Sequence, residues 1–362
     1  MAHEVRYSVI VPTAFRVGGR DIASRALALI RSGVFSECEL IISHGSYSRT
    51  EDTQFCRALE QTCTKVALTP LESTHVPLGL LRNRGAQIAT GEYVLFFDVD
   101  LAVSWDFLQR LEQWFKAGSQ DFAIIPCLYA TSLGTGQLVE NGVLDINRAV
   151  SAFFEHRRDL ISHLALNTST VAVRREHYAM LGGFDERYLD HGLEDFDFLL
   201  RMALRDTTLP IPTDLLTDVT HQSPAFSSGF RSVLNLLSLP VFLDGVATLH
   251  RWHRRSARGG YYRRREANWC FLQENVTQLL VERAPGAVNP DWLPLIRNDG
   301  TLDSLLAVYR GIEMARRPPQ EPSALFDNVP QHYFHPDRMR RRIANALSRA
   351  FRRSLGLPTP KG

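Results

Sequence analysis

The chain has 362 residues, 44% hydrophobic and 22% charged, a composition that excludes a disordered or fibrous protein and allows one large domain or two smaller ones. Five cysteines with no CxxC spacing argue against a zinc ribbon or a disulfide scaffold and fit a reducing cytosol. The net charge of +2 hides an asymmetry, since residues 337–362 hold seven Arg, one Lys and one Asp, leaving the rest mildly acidic.

The opening "MAHEVRYSVIVPT" runs straight into a strand pattern, so no secretory signal is expected. "YSVIVPT" (7–13) reads as a buried strand stopped by Pro12, and "RDIASRALALIRSG" (20–33) as a helix ending at Gly33. "CELIIS" (38–43) is the second strand, "EDTQFCRALEQTC" (51–63) a helix, and "KVALTP" (65–70) the third strand. "LGLLRNRGAQIATG" (78–91) gives a helix closed by Gly91, and "EYVLFFDVD" (92–100) the fourth strand. Strand and helix in alternation imply an α/β fold, a mostly parallel, Rossmann-like sheet with helices on both faces, and such sheets bind ligands outside the carboxyl ends of their strands.

Next come a helix at 104–118, a strand at 121–130, a polar loop around "LGTGQLVENG", a strand at 169–175, and "GGFDERYLDHGLEDFDFLLRMAL" (182–204). Beyond about residue 225 the pattern turns helical. "VLNLLSLPVFLDGVATL" (233–249) is too short, and too interrupted by Asn235, Pro240 and Asp244, to span a bilayer, and reads as a buried or interfacial helix. The expected organisation is a domain over 1–225, with halves 1–100 and 101–225, a helical extension over 226–317, a proline-marked linker over 318–336, and a basic tail over 337–362.

Asp98 and Asp100 close the fourth strand at spacing i, i+2. Carboxylates so placed can chelate a hard divalent cation, although an isolated "DVD" more often serves a turn. Asp195 opens a helix anchored by Phe198, Leu199, Met202 and Ala203, where the helix dipole favours its ionised form. Capping is the simpler role there. The segment 250–266 holds seven arginines with His250, His253, Trp252, Tyr261 and Tyr262. It reads either as a flap over phosphate oxygens, using His250, His253, Arg254 and Tyr261, or as a solvated basic face. In "DRMRRRIANALSRAFRRSLG" (337–356), Met339, Ile343, Leu347, Phe351 and Leu355 form an apolar stripe among arginines. Such a helix lies on an anionic membrane surface. Packing on the protein body is the main alternative, and nucleic acid the least expected partner.

The motifs together carry a resemblance. "RNRGAQIATGEYVLFFDVD" (82–100) resembles the stretch before the metal site of family 2 glycosyltransferases: Arg-Asn-x-Gly, a small residue, Gly-Glu, a hydrophobic strand and Asp-x-Asp. "YSVIVPT" is similar to the first strand of that fold, "GGFDERYLDHGLEDFDFLLR" (182–201) to its later Gly-Gly-Phe-Asp-Glu and Glu-Asp motifs, and "VTHQSP" (219–224) follows where related enzymes place a metal histidine. The C-terminal third looks loosely like capsule and surface-polysaccharide glycosyltransferases of bacteria. The resemblance implies a GT-A fold, a nucleotide-sugar donor, inversion at the anomeric carbon, and Mn2+ or Mg2+ as cofactor. It further implies Asp100 as direct metal ligand, Asp98 on the ribose or a metal-bound water, and His221 as third ligand with His253 as alternative. Asp195 would be the general base and Glu194 would orient the acceptor, while Asp197 is structural. Pro12, Thr13, Ser43, His44, Arg82, Asn83, Asp98, Val99 and Asp100 would line the donor side, and loops 131–147 and 161–170 the acceptor side.

One departure stands out. The family usually shows an acidic pair after the second strand, whereas Ser43 and His44 occupy those places in "ELIISHGS". UDP is still the expected carrier, with Ser43 or His44 touching the base. The acceptor would be an oligosaccharide, a polysaccharide or a lipid-linked glycan, and the enzyme a cytoplasmic hexosyl- or N-acetylhexosaminyltransferase, peripheral at the inner face of the membrane. Two alternatives from other classes remain: a nucleotidyltransferase acting on sugar phosphates, and an inactive glycan-binding or scaffold member of the same fold.

Overall fold

The computed structural model describes residues 6–15, 20–62, 64–73, 75–118, 121–190, 192–206, 214–219, 228–253 and 264–282. The linker and the basic tail expected over 318–362 lie outside them. The first hundred residues alternate as the sequence implies: β1 (Tyr7–Ala14), α1 (Arg20–Ser32), β2 (Glu39–Ser46), α2 (Thr50–Glu60), β3 (Lys65–Pro70), α3 (Leu78–Gln87) and β4 (Tyr93–Phe96). After β4 follow β5 (Leu101–Ala102), α4 (Phe107–Ala117), β6 (Phe122–Ile124), β7 (Cys127–Ala130), α5 (Ser132–Leu138), β8 (Val139–Glu140), β9 (Val143–Leu144), α6 (Ile146–Phe154) and β10 (Ile161–Ala165). The described chain ends with β11 (Val171–Arg174), α7 (Arg175–Met180), α8 (Glu194–Asp206), β12 (Asp218–Val219), β13 (Ser228–Gly229), α9 (Phe230–Leu243), β14 (Thr248–His250) and α10 (Arg265–Glu282).

The main sheet has the order β3-β2-β1-β4-β11-β6, with β1 to β4 parallel and β11 antiparallel to both of its neighbours. Strands buried on both faces read as continuous apolar runs. Accordingly, Val9, Val11, Leu95 and Phe97 enter one core, packed by α1, α2 and α4, while Ile10, Val94 and Phe96 enter the other, packed by α8 and α9. The order reverses direction between β1 and β4, and ligands of open α/β sheets bind at such a switch point.

Pro12 does not stop β1, which runs on to Ala14. Ile10 turns its carbonyl to the β4 side, accepting from Phe97 N at 2.9 Å. Pro12 faces that same side two residues later, where β4 has ended at Phe96 and no partner needs its missing N–H. A crevice therefore opens between the carboxyl ends of β1 and β4.

Several expected boundaries move. The fourth strand ends at Phe96, and residues 98–101 form a turn closed by Leu101 N to Asp98 O at 3.2 Å. The strand expected over 121–130 divides at Pro126 into β6 of the main sheet and β7 of a second sheet, ordered β10-β7-β14-β5. The polar loop becomes α5, capped by Thr131 Oγ1 accepting from Gly134 N at 2.9 Å, and a β8–β9 hairpin turning on Asn141 and Gly142 at φ +51° and +87°. The loop expected over 161–170 contains β10. The boundary expected at 225 lies outside the described residues; beyond it, α9 is buried from Ser232 to Leu243 and β14 lies within the second sheet.

Gly91 is not a helix cap, because α3 ends at Gln87. It lies against β1, donating to Ser8 Oγ at 2.9 Å, and a Cβ there would come within 2.7 Å of Ser8 N. Gly91→Ala is therefore expected to lose about 1–3 kcal/mol in urea unfolding. Gly136→Ala, where a Cβ meets nothing within 4 Å in a helix, should be neutral or gain up to ~1 kcal/mol.

Candidate active site

The turn after β4 holds the two aspartates apart in function. Asp100 Oδ2 lies 3.3 Å from His250 Nε2, 3.1 Å from His253 Nε2 and 3.8 Å from Arg25 Nη1. One oxygen and two imidazole nitrogens thus converge within 4.8 Å of one another. Burial acts to raise the Asp100 carboxyl pKa, but the hydrogen bonds and charge of His250 and His253 hold it far below the usual carboxylate range. This oxygen-and-imidazole set fits a divalent transition ion such as Mn2+, and three protein ligands leave coordination positions for phosphate oxygens.

Strand register makes the cluster. Within the second sheet β14 pairs antiparallel with β5, placing His250 opposite Leu101. The pairing continues one step further as Arg251 N donates to Asp100 O at 2.9 Å, and Arg251 Nη2 donates to Val99 O at 2.6 Å. The two histidines are three apart, and the chain leaves the strand after His250, so both rings reach the same carboxylate. His250, expected as a phosphate-facing residue of a flap, belongs to this cluster together with His253. His221, Arg254 and Tyr261 lie outside the described residues.

Asp98 turns elsewhere. Its Oδ2 accepts from Ser169 Oγ at 2.6 Å and its Oδ1 from Arg82 Nη2 at 3.4 Å. Arg82 is 1% exposed, packs its guanidinium 5.1 Å from the Phe184 ring centroid, and donates through Nη1 to Glu194 Oε1 at 3.0 Å. One buried guanidinium therefore joins the turn after β4 to the start of α8.

Glu194 and Asp195 open α8 behind a loop in which Asp190, Gly192 and Leu193 take φ of +63°, +98° and +80°. Burial, reinforced by the charge of Asp195 and opposed by Arg82, raises the Glu194 pKa from 4.5 to about 7. Among the described residues its buried Oε2 has no hydrogen-bond partner. Asp195 is half-buried and Asp197 fully so, the latter accepting from Arg201 Nε at 2.8 Å and Asn275 Nδ2 at 2.7 Å. Asp197 thus fixes α8 against α10.

Much of the expected donor surface is corrected by burial. Ser43 and His44 are 0% exposed, so neither presents an edge to a nucleobase. Ser43 Oγ donates to Leu81 O at 2.5 Å, and His44 meets Thr13 Oγ1 at 3.1 Å and Asp52 Oδ1 at 3.0 Å. Desolvation pushes the His44 pKa down, which favours the neutral ring; in that form, Nε2–H donating to Asp52 leaves Nδ1 to accept from Thr13 Oγ1. Asp52, in the first turn of α2, also accepts from Tyr47 N and Arg49 N, both at 3.0 Å. Asn83 is likewise spent, donating to Phe184 O and Glu186 Oε1 and accepting from Phe184 N and Tyr178 OH. Pro12 and Thr13 are buried in β1, and Val99 offers its backbone to Arg251. Tyr47 and Arg49, which carry no motif, lie at the carboxyl end of β2 with the guanidinium 4.9 Å from the ring centroid. Nothing in their spacing singled them out.

The raised Glu194 pKa gives a stability slope. A protonated, buried Glu194 contributes stability that is fully present below pH 4.5 and lost as pH rises through about 7. Urea unfolding between pH 4 and 8 should show wild type losing about 2–4 kcal/mol relative to Glu194→Gln across that window.

A family profile described as "Glycosyltransferase like family 2" matches residues 8–276. No curated protein matches the chain. Among solved structures, Staphylococcus aureus TarS is similar at 18% identity and TM-score 0.36, over 55% of this chain and only 34% of that one. Its 1–349 fragment aligns at 16% identity and TM-score 0.38, over 87% of this chain and 93% of the fragment. A mannosyltransferase from Pyrobaculum calidifontis, solved with GDP-Man and Mn2+, aligns at 15% identity and TM-score 0.37, over 87% and 89% of the two chains. The family match runs from the first strand through β14 and most of α10, and the chain belongs to the family 2-like glycosyltransferases.

Proposed function

We propose that the chain is a metal-dependent inverting glycosyltransferase that moves a hexosyl or N-acetylhexosaminyl group from a nucleotide sugar to a glycan. The observation that carries this is the convergence of Asp100, His250 and His253 at the turn after β4, whose other aspartate, Asp98, is joined through Arg82 to Glu194 of α8. Mn2+ or Mg2+ held by those three residues would neutralise the donor diphosphate as the bond to the sugar breaks.

The protein's own groups supply the rest. Asp195, half-buried at the start of α8, takes the proton of the acceptor hydroxyl at a carboxylate oxygen. The hydroxyl oxygen forms the new bond at the anomeric carbon on the face opposite the leaving diphosphate, and the nucleoside diphosphate departs with the electron pair of the broken bond. Buried Arg82 holds Glu194 beside Asp195 and Asp98 beside the donor, which keeps base and leaving group in a fixed relation. Asp98 reaches the donor ribose or a metal-bound water in this account.

The carrier is taken to be UDP on the family resemblance, and the product a capsule or other surface polysaccharide of a bacterium. No described helix is long and apolar enough to cross a membrane. Attachment to the inner membrane face rests on the arginine-rich apolar stripe of 337–356.

A panel of UDP-, GDP-, CDP- and dTDP-sugars, tested for hydrolysis and protection with Mn2+ or EDTA, checks the proposal. One donor should be selected with metal and lost with EDTA or in Asp100→Ala. Asp195→Asn should keep donor binding and lose transfer by about 10²–10⁴-fold. No donor bound in the presence of metal would overturn the transferase assignment, and a donor bound but never transferred would favour the inactive scaffold.

A further inference from the structure

Three rings stand side by side on one face of the second sheet. Tyr129 on β7 is in register with His250 of β14 on one side and His163 of β10 on the other. The Tyr129 and His250 centroids are 4.6 Å apart with planes 16° from parallel, and those of Tyr129 and His163 are 4.3 Å apart at 15°. His253 extends the row beyond His250, at 5.2 Å and 35°. Ser162 fixes the far end: its Oγ donates to Tyr129 O at 2.9 Å, so at 3.0 Å it accepts from His163 Nδ1–H.

A metal-binding histidine is normally oriented by a hydrogen bond at its other ring nitrogen. Among the described residues, His250 has no such bond at Nδ1, while its Nε2 points at Asp100. Ring stacking takes that place. A phenol face flat against the imidazole limits rotation of the ring, and it gains attraction when a bound cation draws charge out of the imidazole.

We infer that Tyr129, backed by His163, is a positioning residue that presets His250 for the metal. This rests on the metal assignment above, and the test separates the two. Binding of Mn2+ alone is measured by the loss of the free-ion signal in electron paramagnetic resonance, on wild type, Tyr129→Phe, Tyr129→Ala and His163→Ala, with circular dichroism to confirm folding.

Tyr129→Phe should bind within about twofold of wild type. Tyr129→Ala should bind about 10–100-fold more weakly, His163→Ala should show a smaller loss, and excess Mn2+ should restore the turnover of Tyr129→Ala. Should Tyr129→Ala not fold, Tyr129→Leu, which keeps apolar bulk without an aromatic face, carries the same expectation. Wild type that binds Mn2+ while the Ala and Leu variants bind it equally well would overturn the inference and leave the metal site standing. Wild type that binds no Mn2+ would overturn both.

Discussion

A guanidinium sealed from water is the constraint on which this site turns. Burying a single charge costs several kcal/mol unless it is paired and hydrogen-bonded, and Arg82 is 1% exposed. Its planar fork holds N–H groups in a fixed geometry that serves two carboxylates at once, a geometry that a lysine's point charge on a flexible stem lacks. Those carboxylates, Asp98 and Glu194, come from elements that are distant in sequence and meet only because α3 packs on β1 and α8 packs beneath the sheet. The ion pairs thus oblige the turn after β4 and the start of α8 to assemble together. Neither can shift without leaving Arg82 uncompensated.

The two sides of that bridge are built by different means. On the donor side, Asp100 is placed by a backbone ladder: β5 pairs with β14, and Arg251 ties the turn through Val99 and Asp100 carbonyls. The carboxylate and the two imidazoles converge as a group that could hold a cation. On the other side, burial and the charge of Asp195 raise the Glu194 pKa to about 7, and its buried Oε2 has no hydrogen-bond partner among the described residues. Strain in the preceding loop, with Asp190 and Leu193 at positive φ, is held by Asn268 donating to Leu189 O and Gly192 O.

The repeating apolar runs made the parallel sheet and its order of elements legible, and the structure joins the Asp98 and Glu194 motifs through Arg82. What could not be read was long-range register. His250 and His253 lie about 150 residues from Asp100, and the strands that join them, β5 and β14, are two and three residues long. Periodicity has no purchase on strands so short. The fate of Ser43 and His44 was hidden for a similar reason, since Asp52 reaches back from α2 to hold His44 in the core. Other misses had visible signals: Asn141–Gly142 marks a hairpin, Thr131 and Asp145 are helix caps, and Pro126 marks the place where one strand becomes two. Of the His-x-x-His pair that begins 250–266, the sequence reading gives His253 as an alternative metal ligand and His250 only as a phosphate-facing residue.

The most direct test of the central claim is the position of a bound ion. Crystals grown with Mn2+ and a nucleoside diphosphate, measured at the manganese absorption edge, would show it by anomalous scattering. The account predicts one strong peak among Asp100 Oδ2, His250 Nε2 and His253 Nε2, with diphosphate oxygens completing its coordination. Nucleotide bound with manganese elsewhere, or with none at that cluster, would contradict it.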